Sequence, residues 1–173
     1  WAASVTSQGT RDTVQRLLLG PPGAWGTGAI PKACIHEVKK AVHGAADAVE
    51  TIMVKHYPLD DLKREHSDGL SRITLKSYDQ GRDRWMGDTL NFVWFDEEPP
   101  EDIYTEGTTR THATGGLSFM TFTPLLGMST VVRRFLMDKA PGTHVTVMTI
   151  HDALHYSAAE RERIIAKYPA HER

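Results

Sequence analysis

The sequence predicts an α/β protein: a mainly parallel, twisted sheet with flanking helices. Two observations carry this. Short apolar, β-branched runs alternate along the chain with segments of helical periodicity, the pattern of parallel strands joined by crossovers. The clearest run, Phe92-Val93-Trp94-Phe95, is uncharged and apolar throughout, as a strand buried on both faces should be. With 173 residues, 40% of them hydrophobic and 24% charged, the chain is about one domain long and can bury a substantial core.

The elements follow in order. Residues 1–6 read as a short buried strand, and a turn through Ser7, Gly9 and Thr10 leads to a helix over 11–19, with Val14, Leu17 and Leu18 on one face. Gly20-Pro21-Pro22-Gly23 stops it. A second helix is expected over 31–42, with Pro31 at its first position. Strands over 49–57 and 70–78 make a β-hairpin insertion (49–78) whose tip is a polar connector with Asp60, Asp61, Lys63, Arg64, Glu65 and Asp68. Residues 79–88 are polar and turn-like. The strand over 91–95 runs into Asp96-Glu97-Glu98-Pro99-Pro100, from which a helix should extend to about Arg110. A buried strand over 116–123, a helix over 129–137, a strand over 145–150 and a helix over 158–168 complete the reading.

Composition narrows the function. Twenty Lys+Arg against 22 Asp+Glu give a net charge of −2, without the basic excess of a dedicated nucleic-acid module. A single cysteine, Cys34, excludes an internally stapled secreted mini-domain and reads as a small core residue. No secretory leader follows Trp1. The longest uncharged stretch, 113–132, contains Gly115, Gly116, Pro124 and Gly127, which favours a strand and turn over a membrane span. A soluble chain is expected, opening as if a strand were already under way.

The chemistry concentrates where the apolar run ends in two acids. Ligands of open α/β sheets gather beyond the carboxyl ends of the strands, so Asp96 and Glu97 would project into that crevice. One carboxylate can hold Mg²⁺, which prefers oxygen ligands and keeps waters. Its neighbour can orient or deprotonate an attacking water. This is the Walker B arrangement, with Asp96 as the metal-side acid and Glu97 as the catalytic one. The simpler alternative is that both acids only favour the N-terminus of the next helix. Thr121 and Thr123 lie two apart, so they share one side of their strand. One hydroxyl could approach a γ-phosphate or its water; equally, both residues simply suit β-structure.

Trp94-Phe95-Asp96-Glu97-Glu98-Pro99-Pro100, followed by Ile103-Tyr104-Thr105-Glu106 and Arg110, resembles the ATPase of phage terminase large subunits. Met120-Thr121-Phe122-Thr123-Pro124 is similar to that family's coupling motif. Further matches are Arg11-Asp12, Leu18-Leu19-Gly20-Pro21-Pro22-Gly23, Trp25-Gly26-Thr27-Gly28, Tyr78-Asp79-Gln80-Gly81-Arg82 and Tyr168-Pro169-Ala170-His171-Glu172-Arg173. The resemblance implies a P-loop NTPase (ASCE-like) sheet, ATP and Mg²⁺ as cofactors, and double-stranded DNA, portal protein and small terminase subunit as partners. It also implies a homo-oligomeric ring on the procapsid in the host cytoplasm, with no membrane partner. Thr121 and Thr123 would relay the phosphate state, and Arg82 would serve a neighbouring subunit's γ-phosphate, with Arg84 and Arg110 as competitors.

One part of that machinery is missing from the sequence. A phosphate-cradling loop needs Gly followed by Lys, and no glycine of this chain has a lysine after it. The expectation is therefore an N-terminally truncated ATPase domain over 1–173, inactive by itself, with 151–173 leading toward an absent nuclease domain. The competing classes are a non-catalytic α/β interaction module and a helicase-like ATPase, though helicases usually follow Asp-Glu with Ala rather than Glu98-Pro99-Pro100. Elsewhere, His151 and His155 have zinc-pair spacing but no third ligand, so a surface turn is expected there. Residues 21–31 could form a mobile contact loop or a packed connection. Lys39, Lys40, Arg133 and Arg134 could meet DNA phosphates or simply be solvated.

Overall fold

The computed structural model describes residues 1–58, 66–124 and 127–168, and divides into two compact units, Trp1–Arg133 and Arg134–Arg173. The hairpin-tip residues 59–65 and residues 169–173 of the last motif lie outside the described residues.

The first unit is built on a six-stranded sheet in the order β2-β3-β4-β1-β5-β6. Its strands are β1 (Ala2–Ser4), β2 (Ile35–Lys40), β3 (Val49–His56), β4 (Gly69–Ser77), β5 (Phe92–Asp96) and β6 (Leu117–Thr121). The pairs β4–β1, β1–β5 and β5–β6 are parallel; β2–β3 and β3–β4 are antiparallel. The sheet is therefore mixed rather than mainly parallel: the β2–β3–β4 meander adds to one side of a parallel half that carries the acids.

Helix α1 runs continuously through Ser7–Thr10, Arg11–Gln15 and Arg16–Leu19, its middle stretch wound as a π-helix. Thr6 caps it, its hydroxyl accepting from Gly9 N at 2.9 Å. Gly20, at φ 91°, ends it in a conformation that a side chain would resist. The inner face of α1 packs Val14 and Leu19 on Ala2, Val49, Ile52 and Leu75, with Trp94 against the same cluster. On the other face of the sheet, Trp85 and Phe95 are both fully buried and stack at 5.7 Å. Helix α2 (Glu101–Thr109) buries Ile103 and Tyr104 on that side, Tyr104 lying 5.8 Å from Phe95.

Three expectations are corrected. The helix expected over 31–42 is a short 3₁₀ turn, Lys32–Cys34, followed by strand β2. The register of β2 shifts between Ile35 and Glu37 and again between Lys39 and Lys40. Ile35 and Val38 both pack on the core cluster, so the irregular register turns two apolar residues three apart toward one face and imitates helical spacing. The strand expected as buried over 116–123 is β6, an edge strand whose Leu117 is 60% exposed and Phe119 48%. Residues 145–149 form no strand, and Val147 and Met148 are about three-quarters exposed (74% and 75%). An isolated extended segment has no partner for its amide and carbonyl groups, so the apolar pattern alone does not make a strand.

Helix α3 (Thr130–Leu136) buries Val131 and Val132. The second unit contains helix α4 (Ala158–Ile165), opened by a capping box in which Ser157 and Glu160 bond each other's backbone N–H. Among the described residues no helix is long and apolar enough to cross a membrane.

Candidate functional site

The carboxyl ends of β1, β5 and β6 and the N-terminal half of α1 converge on Asp96. In the register of β5 and β6, Asp96 stands opposite Thr121, so both side chains leave the same face of the sheet. Thr121 donates from its hydroxyl to Asp96 Oδ1 at 3.1 Å, and accepts from Trp94 Nε1 at 2.8 Å. The other carboxylate oxygen, Oδ2, lies 2.9 Å from the Thr13 hydroxyl, which is equally close to Gly9 O. Thr13 sits in the π-helical stretch, where the extra residue per turn displaces a side chain from the regular helical face. Two hydroxyls from two elements thus clamp a half-buried carboxylate at the sheet's end.

Glu97 follows immediately and is exposed, with φ 65° in the left-handed region that non-glycine residues seldom occupy. Its N–H donates to Thr121 O at 2.8 Å, extending the β5–β6 ladder by one bond. The Tyr78 hydroxyl lies 2.9 Å from Asp96 O and 3.0 Å from Glu97 O. Burial, reinforced by the charges of Asp96 and Glu97, pushes the Tyr78 phenol well above its ordinary range, so it remains a donor.

Arg82 lies on the opposite, aromatic side. Its Nε donates to Glu106 Oε2 at 3.1 Å, and Arg110, four residues along from Glu106, bonds the other oxygen. The Glu106 side chain is 6% exposed, that of Arg82 57%. Arg84 is exposed; its carbonyl accepts from Lys76 Nζ at 2.5 Å. Thr123 is exposed beyond the end of β6. The structure therefore brings Asp96, Glu97 and Thr121 together, and ties Arg82 to the helix that follows them. A cleft of about 730 Å³ lies between α1, the loop 41–44 and the end of β4; it is lined by Arg11, Lys76 and Arg84 with Glu50 and Asp79, but not by Asp96 or Glu97.

The other candidates resolve simply. Residues 21–31 fold back onto α1, with Gly26 N, Ala29 N and Ile30 N donating to the carbonyls of Leu19, Leu17 and Leu18, and form a packed connection. Lys40 pairs with Asp47 at 2.6 Å. His151 and His155 are exposed, and among the described residues no group of three or more His, Cys, Asp or Glu could hold a metal. Thr13, Tyr78 and Glu106 were not singled out from sequence as site residues. Tyr78 stands in a matching motif without a role, and Thr13 is a threonine in an amphipathic helix; neither role is local, because their partners lie 18 and 83 residues away.

An α/β sheet whose strand ends in a hydroxyl-clamped acid followed by an exposed one has a candidate ligand site at its carboxyl edge. Comparison with known proteins is more specific: the sequence model of the family "Terminase large subunit, T4likevirus-type, N-terminal" matches residues 4–173, and the chain belongs to that family. It is 45% identical over its whole length to the terminase large subunit of Salmonella phage P22, of which it covers 34%. It is also 47% identical over half its length to the terminase large subunit of Enterobacteria phage LP7, covering 18% of that protein. The chain thus spans about a third or less of these relatives. No solved structure matches it.

Proposed function

We propose that this chain is part of the ATPase of a terminase large subunit, a motor that couples ATP hydrolysis to packaging double-stranded DNA into a procapsid. In this reading the sheet is of the P-loop NTPase type, and the protein works in the host cytoplasm as a homo-oligomeric ring with the portal protein and small terminase subunit. The observation that carries the proposal is the Asp96 carboxylate, held between the Thr13 and Thr121 hydroxyls at the end of β5 beside an exposed Glu97.

The donor set fits a hydrated Mg²⁺. A single anchored carboxylate with hydroxyls around it is what that ion uses when waters and phosphates complete its shell. When bound with ATP, the ion supplies charge neutralisation at the phosphates. Asp96 is the residue that would hold it. Glu97 orients the attacking water and accepts its proton at the carboxylate. Thr121 bonds both Asp96 and Trp94, so a change at the acid reaches the neighbouring strand; Thr123, two residues on, is the second relay we assign. Arg82 is the arginine we assign to a neighbouring subunit's phosphate; its side chain is 57% exposed and its Nε donates to Glu106. The sequence has no Gly-Lys pair for cradling phosphate, so the assay belongs to the full-length protein.

The test is Glu97→Gln in that protein. Hydrolysis should be lost while ATP binding and DNA binding survive. Near-normal turnover would overturn the assignment.

A further inference from the structure

The geometry points to Tyr78 as a positioning residue for the attacking-water side of the site: its hydroxyl straps the turn at Asp96 and Glu97 and so aims the Glu97 carboxylate. The inference rests on the role given to Glu97 above.

In an extended strand, successive carbonyls point in opposite directions. Here the carbonyl oxygens of two consecutive residues, Asp96 and Glu97, lie 2.9 and 3.0 Å from one phenolic oxygen. They can converge only because the chain turns sharply at Glu97, whose φ of 65° is the left-handed conformation that disfavours any residue with a Cβ. Strain of this kind persists only where the surroundings over-determine it. Two groups do so. The Glu97 N–H is held by Thr121 O at 2.8 Å on one side, and on the other the single Tyr78 O–H is shared between the two carbonyls, with Ala3 O farther off at 3.5 Å.

The donor itself is fixed in place. Tyr78 is 6% exposed, with its ring 6.1 Å from that of Trp85 and 6.4 Å from that of Phe95. It follows the last residue of β4, and β4 is separated from β5 by β1, so the phenol reaches across one strand to the end of the next. A turn relaxed from the left-handed region would swing the Glu97 side chain off its present direction. Displacement of a reacting group by about 1 Å can cost on the order of a hundredfold in rate.

The experiment uses the full-length protein with Tyr78→Phe, which keeps the ring packing and removes the strap. The kcat for ATP hydrolysis should fall about 10- to 100-fold, with the KM for ATP and the affinity for nucleotide unchanged. Hydrogen exchange of the Glu97 amide should become faster. Tyr78→3-fluorotyrosine keeps both ring and donor and should retain wild-type kcat. Unchanged kcat in Tyr78→Phe, while Glu97→Gln abolishes hydrolysis, would overturn the role of Tyr78 and leave that of Glu97 standing. Parallel losses in kcat, KM and nucleotide affinity would also overturn it, as would a fluorotyrosine variant as impaired as Tyr78→Phe. Turnover surviving in Glu97→Gln would instead overturn the underlying reading.

Discussion

Replacing Glu106 by alanine should destabilise the fold by an amount that its two arginines set unequally. Arg82 contacts Glu106 at 3.1 Å, but its side chain is 57% exposed, so solvent screens the pair to at most about 1 kcal/mol. Arg110 is 26% exposed and lies one helical turn on, so its charge-assisted bond to a carboxylate only 6% exposed contributes about 1.5–3 kcal/mol. Among the described residues Arg110 Nε is already buried without a hydrogen-bond partner, which leaves that side chain little alternative once the acid is gone. Together Glu106→Ala should cost about 2–4 kcal/mol. Glu106→Gln, which keeps the shape and one acceptor, should cost about half as much. Urea denaturation followed by tryptophan fluorescence measures this, since the buried Trp85 lies beneath the same helix. Double-mutant cycles with Arg82→Ala and Arg110→Ala then apportion it. A cost below about 0.5 kcal/mol, or a coupling to Arg82 larger than that to Arg110, would refute the reasoning from burial and screening.

Two further outcomes follow from packing and titration. A Cβ at Gly107 would stand 2.7 Å from Phe95 Cζ and 3.2 Å from Trp85 Cε3, both on fully buried rings. Gly107→Ala should therefore lower stability by about 1–2 kcal/mol, overpacking outweighing the roughly 1 kcal/mol gain in helix propensity; a stabilised variant in urea denaturation would contradict this. Because the folded state raises the Tyr78 pKa above 10, the unfolded chain loses this proton first, and stability should fall as pH rises from about 10. Tyr78→Phe should flatten that alkaline decline, measured as the urea midpoint at pH 9, 10 and 11; an unchanged slope would show the phenol titrates alike in both states.

Much of the parallel half was legible in the sequence because each piece carries its signal locally. Phe92 to Phe95 is an uninterrupted apolar run, Gly20-Pro21-Pro22-Gly23 closes α1 at Leu19, and Pro100 precedes α2 as a residue that can start a helix but not sit inside one. The acids stood out for the same reason, falling directly after the strand. Where tertiary contacts outvote local pattern, the reading failed. Pro31 suggests a helix over 31–42, yet pairing with β3 makes Ile35–Lys40 a strand; the apolar run 145–150 suggests a strand, yet among the described residues nothing pairs with it.

By itself, the sequence determined which residues could carry chemistry and which runs could be buried, since both follow from side-chain type and short-range periodicity. Only the tertiary structure decided which hydroxyls grip Asp96, that a phenol just beyond β4 reaches past β1 to Glu97, and that Arg82 is anchored on Glu106. Those contacts join positions 83, 19 and 24 residues apart. They depend on strand order and on the winding of α1, which arise from the packing of the whole sheet rather than from any one segment of chain.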